Sequence, residues 1–173
     1  MAINFSGGTQ SGPAKCLNQG HSRITTQSHS GNGPHILSNS GITMNVKSAS
    51  SIMYLQCNLS FGIYANHACA AYIEYSTNGG SSYSQWGTFT DGNRSWAHTS
   101  SEGVGSDGGG EMTIIAAHDH NQSVGTNIIY RIRWGKENSG TEYIGTASRG
   151  YSNVSGWGYP GITSSYFCIQ EID

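Results

Sequence analysis

Two histidines separated by one residue, His118 and His120, form the sharpest local chemical pattern in the sequence. In a β-strand, side chains two residues apart point to the same side, so both imidazoles would face one ligand. Imidazole is a preferred ligand of iron, zinc and nickel. The pattern predicts either a metal site or, as the alternative, two solvated loop histidines that cap a turn around Asp119.

Motifs that would indicate an enzyme are missing from the sequence. It contains no Gly-x-Ser-x-Gly nucleophile elbow, no phosphate-binding loop and no His-Glu-x-x-His zinc motif. Its 10 acidic residues include no close pair that suggests a shared pocket, although the two carboxylates of a glycosidase can be distant in sequence. We therefore predict that the protein is not an enzyme, with a glycan-degrading enzyme as the catalytic alternative.

Three aromatic residues, Tyr151, Trp157 and Tyr159, lie in a Gly-rich stretch over residues 147–163. Aromatic faces in such a loop could stack on sugar rings or anchor a protein interface. The competing interpretation is that Trp157 folds back over an open end of the fold. The stretch is therefore a candidate binding loop.

Arg131 and Arg133 belong to the most regular alternating segment of the chain, residues 125–135. Successive strand side chains point to opposite faces, which makes this segment a strand with one apolar and one polar face. The apolar face consists of Ile128, Tyr130, Ile132 and Trp134. On the polar face, the two arginines could pair with carboxylates across a subunit boundary, or they could be solvated.

Four cysteines, at positions 16, 57, 69 and 168, show no CxxC spacing, which argues against a zinc knuckle or ribbon. If the strands that carry Cys57 and Cys69 formed a hairpin centred near Ile63, the two thiols would be close enough to form a disulfide. The alternative is two buried thiols that behave as small apolar side chains, which a reducing cytoplasm favours.

Alternating apolar residues predict strands along most of the chain, and no helix of even two turns can be placed. The strands lie around residues 42–46, 53–61, 69–75, 83–89, 112–116, 125–135, 143–144 and 166–172. Asn78-Gly79 predicts a two-residue type I′ turn that joins the strands at residues 69–75 and 83–89.

This spacing of strands predicts an all-β fold, a jelly-roll-like antiparallel β-sandwich. We place the β-sandwich domain over residues 36–173. Residues 1–35 are poor in apolar side chains and predict an extended N-terminal arm that tethers the subunit within an assembly. A disordered tail is the alternative for this segment.

Charge and hydropathy argue against two classes of partner. Charged residues make up 10% of the chain and the net charge is −2, so no basic surface indicates nucleic acid or acidic membranes. No stretch approaches the roughly 20 apolar residues of a transmembrane helix, and the N-terminus lacks the pattern of a signal peptide. We therefore predict a soluble protein that is made in a cytoplasm, with no nucleic-acid partner and no membrane insertion.

The order of these segments resembles the β-sandwich domains of virion structural proteins of tailed bacteriophages, including marine and cyanobacterial phages. The resemblance rests on the strand at residues 53–61, a strand-loop-strand unit at 112–134 with Asp119 in its loop, and the closing run Cys168-Ile169-Gln170-Glu171-Ile172. In that group the last strand typically ends in an apolar-x-x-Glu-Ile pattern. The resemblance covers roughly residues 36–172.

The resemblance implies a non-enzymatic component of the virion that assembles as a homotrimer with other capsid or tail proteins. The short chain favours a capsid decoration (cement) or head-fibre protein. The alternative is a short tail fibre that recognises a host surface glycan. Around a trimer axis, three copies of His118 and His120 would offer six imidazole nitrogens, enough for an octahedral iron or zinc site.

Overall fold

The computed structural model describes residues 14–25, 27–30, 34–63, 68–86, 90–91, 94–95, 99–102, 108–136, 141–144 and 165–173. Every regular element in these ranges is a β-strand, and none of their residues belongs to a helix able to cross a membrane. The strands are β1 (Cys16–Ile24), β2 (Gln27–Ser30), β3 (His35–Ile36), β4 (Ile42–Asn45), β5 (Ile52–Ile63), β6 (Ala68–Ser76), β7 (Ser84–Gln85), β8 (Thr90–Asp91), β9 (Arg94–Ser95), β10 (Thr99–Glu102), β11 (Gly108–Asp119), β12 (Asn127–Lys136), β13 (Thr141–Ile144) and β14 (Ser165–Ile172).

The strands form two six-stranded antiparallel sheets, while β8 and β9 pair with each other. In sheet 1, β5 pairs with β11 on one side and with β14 and β13 on the other; β1 extends the sheet beyond β14, and β2 beyond β13. In sheet 2, β6 and β12 pair at the centre, flanked by β10 and β7 and by β4 and β3. The predicted all-β antiparallel sandwich is confirmed.

The long strands cross repeatedly from one sheet to the other. The chain passes from β4 in sheet 2 to β5 in sheet 1, then to β6 in sheet 2, β11 in sheet 1, β12 in sheet 2 and β14 in sheet 1. Such crossings are typical of a jelly roll. Each crossing places consecutive strands in opposite layers, so residues that are close in sequence face each other across the core.

The core consists of the alternating apolar side chains that both sheets turn inwards. Its largest fully buried members are Trp134, Tyr130, Phe61 and Phe167. The rings of Phe61 and Trp134 lie 5.5 Å apart and join the two layers. Full burial of a side chain such as Phe is worth about 1.5–3 kcal/mol relative to exposure, so this contact contributes substantially to closing the sandwich.

The segment predicted as an N-terminal arm contains part of the sandwich itself, which differs from the prediction. β1 pairs with β14 from Cys16 opposite Ile172 to Ile24 opposite Ser165. The composition of β1 does not reveal this role, because main-chain hydrogen bonds rather than apolar side chains hold it on the sheet. The tether remains a prediction for residues 1–13, which lie outside the described residues.

The predicted hairpin between β6 and β7 forms, but not through a two-residue turn. The register runs to Tyr75 opposite Ser84, so a longer loop joins the strands. Positive φ occurs at Gly79 (72°) and at the glycine after it (86°), and not at Asn78. Asn78 instead closes the loop through its side-chain oxygen, which accepts a hydrogen bond from the backbone N–H of Ser82.

The hairpin that would have placed Cys57 beside Cys69, one of the two alternatives for these cysteines, does not form. The two strands lie in different sheets, and the partners of Cys57 across sheet 1 are Ile114 and Phe167. Cys57 is a free, buried thiol, and burial raises the pKa of that thiol far above its ordinary value. It therefore forms no disulfide and packs as a small apolar side chain.

Candidate functional site

Buried polar side chains gather at one end of the sandwich, where β5 begins and where β11 and β14 end. Met53 is near the start of β5, where it pairs with His118 of β11 on one side and with Glu171 of β14 on the other. β12 contributes Tyr130 from the opposite sheet, and the loops next to β5 and β11 contribute the remaining groups. We call the following five residues the end cluster: Ser51, His118, His120, Tyr130 and Glu171.

Glu171 is fully buried, and one of its carboxylate oxygens organises the loop before β5. Its Oε1 atom accepts hydrogen bonds from the backbone N–H of Lys47 (2.7 Å) and of Ser48 (2.9 Å) and from the Ser51 hydroxyl (2.7 Å). Its Oε2 atom has no hydrogen-bond partner in the described part of the chain. A buried carboxylate is tolerated when such donors replace water, so Glu171 ties the loop to β14.

The hydrogen bonds of His120 define which ring nitrogen donates and which accepts. Its Nδ1 atom accepts a hydrogen bond from the backbone N–H of Gln122 at 3.0 Å, which leaves the proton on Nε2. The Nε2–H group therefore donates to the Ser51 hydroxyl oxygen at 3.2 Å. In a catalytic triad the histidine instead accepts the serine proton, and the acid contacts the histidine rather than the serine. Ser51, His120 and Glu171 consequently do not form a nucleophile-activating arrangement.

His118 lies in an aromatic box between the two sheets. Its Nδ1 atom is 2.8 Å from the Tyr130 hydroxyl, and its ring centroid lies 4.5 Å from that of Tyr75 and 5.6 Å from that of Trp86. The pKa of His118 is lowered from 6.5 to about 4, chiefly by burial and also by proximity to His120, while Asp119 opposes the shift. His118 is therefore neutral near pH 7.

Burial also raises the pKa of Tyr130 above its ordinary range, and the nearby Tyr75 and Glu171 contribute to the same shift. Its phenol is therefore protonated and available as a hydrogen-bond donor to His118. The end cluster thus contains two hydrogen-bonded sets: Ser51 with His120 and Glu171, and His118 with Tyr130.

The structure places His118 and His120 differently from both sequence-based interpretations. The two side chains are 5% and 4% exposed and point into the interior of one chain, not towards solvent or a shared axis. Among the described residues, no group of three or more His, Cys, Asp or Glu side chains is arranged to hold a metal ion. The trimer-axis metal site therefore has no support from this geometry.

A sequence signal for the burial of His118 was present. It continues the period-two series of buried residues on β11, which is Met112, Ile114 and Ala116. Reading the series one step further would have placed the imidazole inside. The same kind of series reaches Ser51, two residues before Met53, and Glu171, two residues after Ile169, and all of these residues are buried. Only the hydrogen-bond partners of Ser51 and Glu171 carried no sequence signal, because they are far away in the sequence.

Arg131 and Arg133 do lie on the outer face of sheet 2, and their carboxylate partner belongs to the same chain. Arg131 contacts Glu74 Oε2 at 2.8 Å and stacks 3.4 Å above the ring of Tyr83. Arg133 Nε lies 3.1 Å from Glu74 Oε1, within ion-pair distance, although its N–H is not aimed well enough for a hydrogen bond. A hydrogen bond to Tyr72, followed by the Glu74 charge, raises the pKa of Arg133 against the effect of burial.

Tyr151, Trp157 and Tyr159 lie outside the described residues, so their role in binding stays a prediction.

No known family model matches the sequence, and no curated protein does. Among solved structures, the fold is similar to a chain in the "Structure of infectious bursal disease virus Gx strain", with a TM-score of 0.33 and 13% sequence identity. The match covers 98% of this chain and spans 42% of that one. At this level of similarity it identifies neither a family nor an activity.

Proposed function

We propose that this chain is a structural component of a virus particle, a trimeric surface protein attached to the capsid of a tailed phage as a decoration or head-fibre protein. The observation that carries the proposal is where the phage-like segments lie in the fold. Residues 53–61 are in β5 and residues 168–172 are in β14, while the unit at 112–134 spans β11 and β12. In sheet 1, β11 and β14 both pair with β5, and β12 is a central strand of sheet 2, so the resembling segments correspond to long strands at the centre of the sandwich.

A role in assembly rather than turnover also agrees with the chemistry of the polar side chains. Glu171 anchors a loop, His120 donates to Ser51 and cannot act as its base, and Glu74 forms ion pairs with two arginines. Each of these groups stabilises the fold. We therefore propose a non-enzymatic protein.

Immunogold electron microscopy of phage particles that carry this gene tests the proposal directly. An antibody raised against the purified chain should label the capsid surface, at many sites per particle. Label confined to tail tips would instead favour the short tail fibre, and binding of the purified protein to host cells or their surface glycans would then be expected. Particles that carry no label, with the protein found only in the lysate, would contradict a virion role.

A further inference from the structure

Two arginines on the outer face of sheet 2 share one carboxylate. Arg131 contacts Glu74 through Nε and Nη2, each 2.8 Å from Oε2, and Arg133 Nε lies 3.1 Å from Oε1. Two guanidinium charges against one carboxylate leave an excess of one positive charge. The chain as a whole has a net charge of −2, so this excess is a local feature of the face. We call Arg131, Arg133 and Glu74 the arginine site.

The rest of sheet 2 does not cancel this excess charge. Apart from the arginine site, the formally charged residues on its described strands are Lys136, which ends β12, and Glu102, which ends β10. They pair with Cys69 and Ala68, which are five and six residues from Glu74 along β6, so their backbones are roughly 17–20 Å away. This is about twice the Debye length at physiological ionic strength, so salt largely screens their effect on the site.

Partial burial makes the charge of the two arginines more effective. Their side chains are only 18% and 28% exposed for Arg131 and Arg133. Water and salt screen a partly buried charge less than an exposed one. Tyr83 restricts Arg131 further, because the Cζ atom of the arginine lies 3.4 Å from the centroid of the tyrosine ring. The positive charge is therefore held in place before any ligand binds.

Glu74 does not use all the hydrogen-bond donors of the two guanidinium groups. Each guanidinium carries five N–H donors in a planar fork that matches the two oxygens of a carboxylate. Glu74 contacts Nε and Nη2 of Arg131 and Nε of Arg133, and Tyr72 accepts a further hydrogen bond from Arg133. Within the described part of the chain, N–H groups of both arginines remain for a second carboxylate.

Aromatic and aliphatic side chains border the arginine site. Arg133 lies between Tyr72 of β6 and Ile36 of β3, which are its partners in the strand register, and Ile36 is 45% exposed. The ring of Tyr83 lies against Arg131. A ligand whose carboxylate met the guanidinium groups would therefore place its carbon skeleton next to these side chains. An acidic sugar combines a carboxylate with C–H groups that pack on aromatic rings.

We propose that the arginine site binds the carboxylate of an acidic sugar, a sialic or uronic acid of a surface glycan, with Tyr72, Tyr83 and Ile36 against the sugar ring. One excess positive charge matches a carboxylate, whereas a phosphate monoester carries about −1.5 to −2 and a nucleic acid requires several cationic contacts. The inference goes beyond the proposed structural role and does not rest on it, because a protein on either the capsid or the tail can carry such a site.

Titration of the ¹⁵N-labelled full chain, followed through its arginine Nε–H resonances, tests the site. The probes are the methyl glycosides of N-acetylneuraminic acid and of glucuronic acid, and the methyl ester of each. At least one acid should shift the resonances of Arg131 and Arg133, and its ester, which keeps the ring but lacks the charge, should bind at least about tenfold more weakly. Acetate should also bind at least about tenfold more weakly, since it lacks the ring.

Two substitutions with opposite expected effects test the role of charge. Arg133→Gln should weaken binding of the acidic sugar at least about tenfold, whereas Glu74→Gln should strengthen it, because it raises the excess charge of the site from one to two. Arg23→Gln is the matched control, because it removes the same charge from an exposed position on β1 in sheet 1 and should bind as the wild type does. Circular dichroism establishes that each variant is folded.

Several results would overturn the inference. They are equal binding of acid and ester, equal binding of acetate and the acidic sugars, no shift with either acid, and an equal loss of affinity in Arg133→Gln and Arg23→Gln. The comparison of acid with ester uses the wild-type chain, so it decides the question even if a variant fails to fold. Immunogold labelling tests the virion role separately, so a failure of sugar binding leaves that role unaffected.

Discussion

At the scale of single residues, the carboxylate of Glu171 joins β14 to a loop that is more than one hundred positions away in the sequence, since its bond to Ser51 spans 120 residues. All three of its hydrogen bonds converge on Oε1, while Oε2 has none in the described structure. The acceptor oxygen therefore matters more for stability than the negative charge does. This distinction is testable with two substitutions.

We expect Glu171→Ala to lower the free energy of unfolding by about 3 kcal/mol, because it leaves buried donors unsatisfied at about 1–3 kcal/mol for each such group. Glu171→Gln keeps the accepting oxygen and removes a buried charge, so it should change the free energy by less than about 1 kcal/mol. Urea denaturation of the two variants measures both values. Equal losses would show that the charge itself is required.

His118 makes stability depend on pH. Its pKa is about 4 in the folded chain and near 6.5 in the unfolded one. Below pH 6.5, His118 is therefore protonated in the unfolded state while it is still neutral in the folded state. Stability should therefore be constant above pH 6.5 and fall as the pH drops towards 4, by up to about 3 kcal/mol. The groups next to the ring are Tyr75, Tyr130 and Trp86, and the charged or titratable groups that act on it are His120 and Asp119.

Urea denaturation at pH 7, 5.5 and 4.5 measures this dependence. His118→Gln removes the titrating ring and should flatten the profile over that range, which separates its effect from those of the other histidines. An unchanged pH profile in His118→Gln would contradict the assignment.

At the scale of elements, the edge strand β1 approaches sheet 2 closely at Gly20. A Cβ atom at this position would lie 2.5 Å from Cγ2 of Ile42 and 3.1 Å from Sδ of Met44, both on β4. Only a residue without a side chain allows β1 to lie this near to β4, where the edges of the two sheets meet. The polar sequence of β1 is therefore compatible with its position because its contribution is made by the backbone.

Gly20→Ala should destabilise the fold by about 1–3 kcal/mol, which is typical of overpacking. Gly41→Ala is the control, because a Cβ atom there would meet no other atom within 4 Å. Thermal unfolding followed by circular dichroism compares the two variants. If both variants unfold at the wild-type temperature, the close approach of β1 and β4 does not exist in solution.

At the scale of the whole molecule, the contact between Phe61 of β5 and Trp134 of β12 joins the two sheets, with the ring centroids 5.5 Å apart. Phe61 is 1% exposed, so Phe61→Ala should leave a cavity between the sheets and lower the free energy of unfolding by about 3–5 kcal/mol. Urea denaturation measures this loss. A loss of less than about 1 kcal/mol would show that this contact does not hold the two sheets together in solution.

The sequence predicted the elements better than the site. Period-two alternation placed β5, β6, β12 and β14 almost at their observed bounds, because that signal depends only on neighbouring residues. The same reasoning stopped at Ala116 and left His118 and His120 on a surface, although the period-two series of β11 continues to both of them. Whether the strands of Cys57 and Cys69 are neighbours is a different question, because alternation does not contain the layer that a strand joins.

The sequence by itself determined the class of fold and the positions of its main strands, because the alternation of apolar and polar side chains depends only on neighbouring residues within each segment. Only the tertiary structure decided which strands are neighbours, that β1 completes sheet 1, that Glu74 pairs with Arg131 and Arg133, and that Glu171 holds the loop before β5. These features arise from hydrogen bonds and burial between residues distant along the chain. The energies of these contacts depend on the folded arrangement as a whole, so no pattern of neighbouring residues predicts which contacts form.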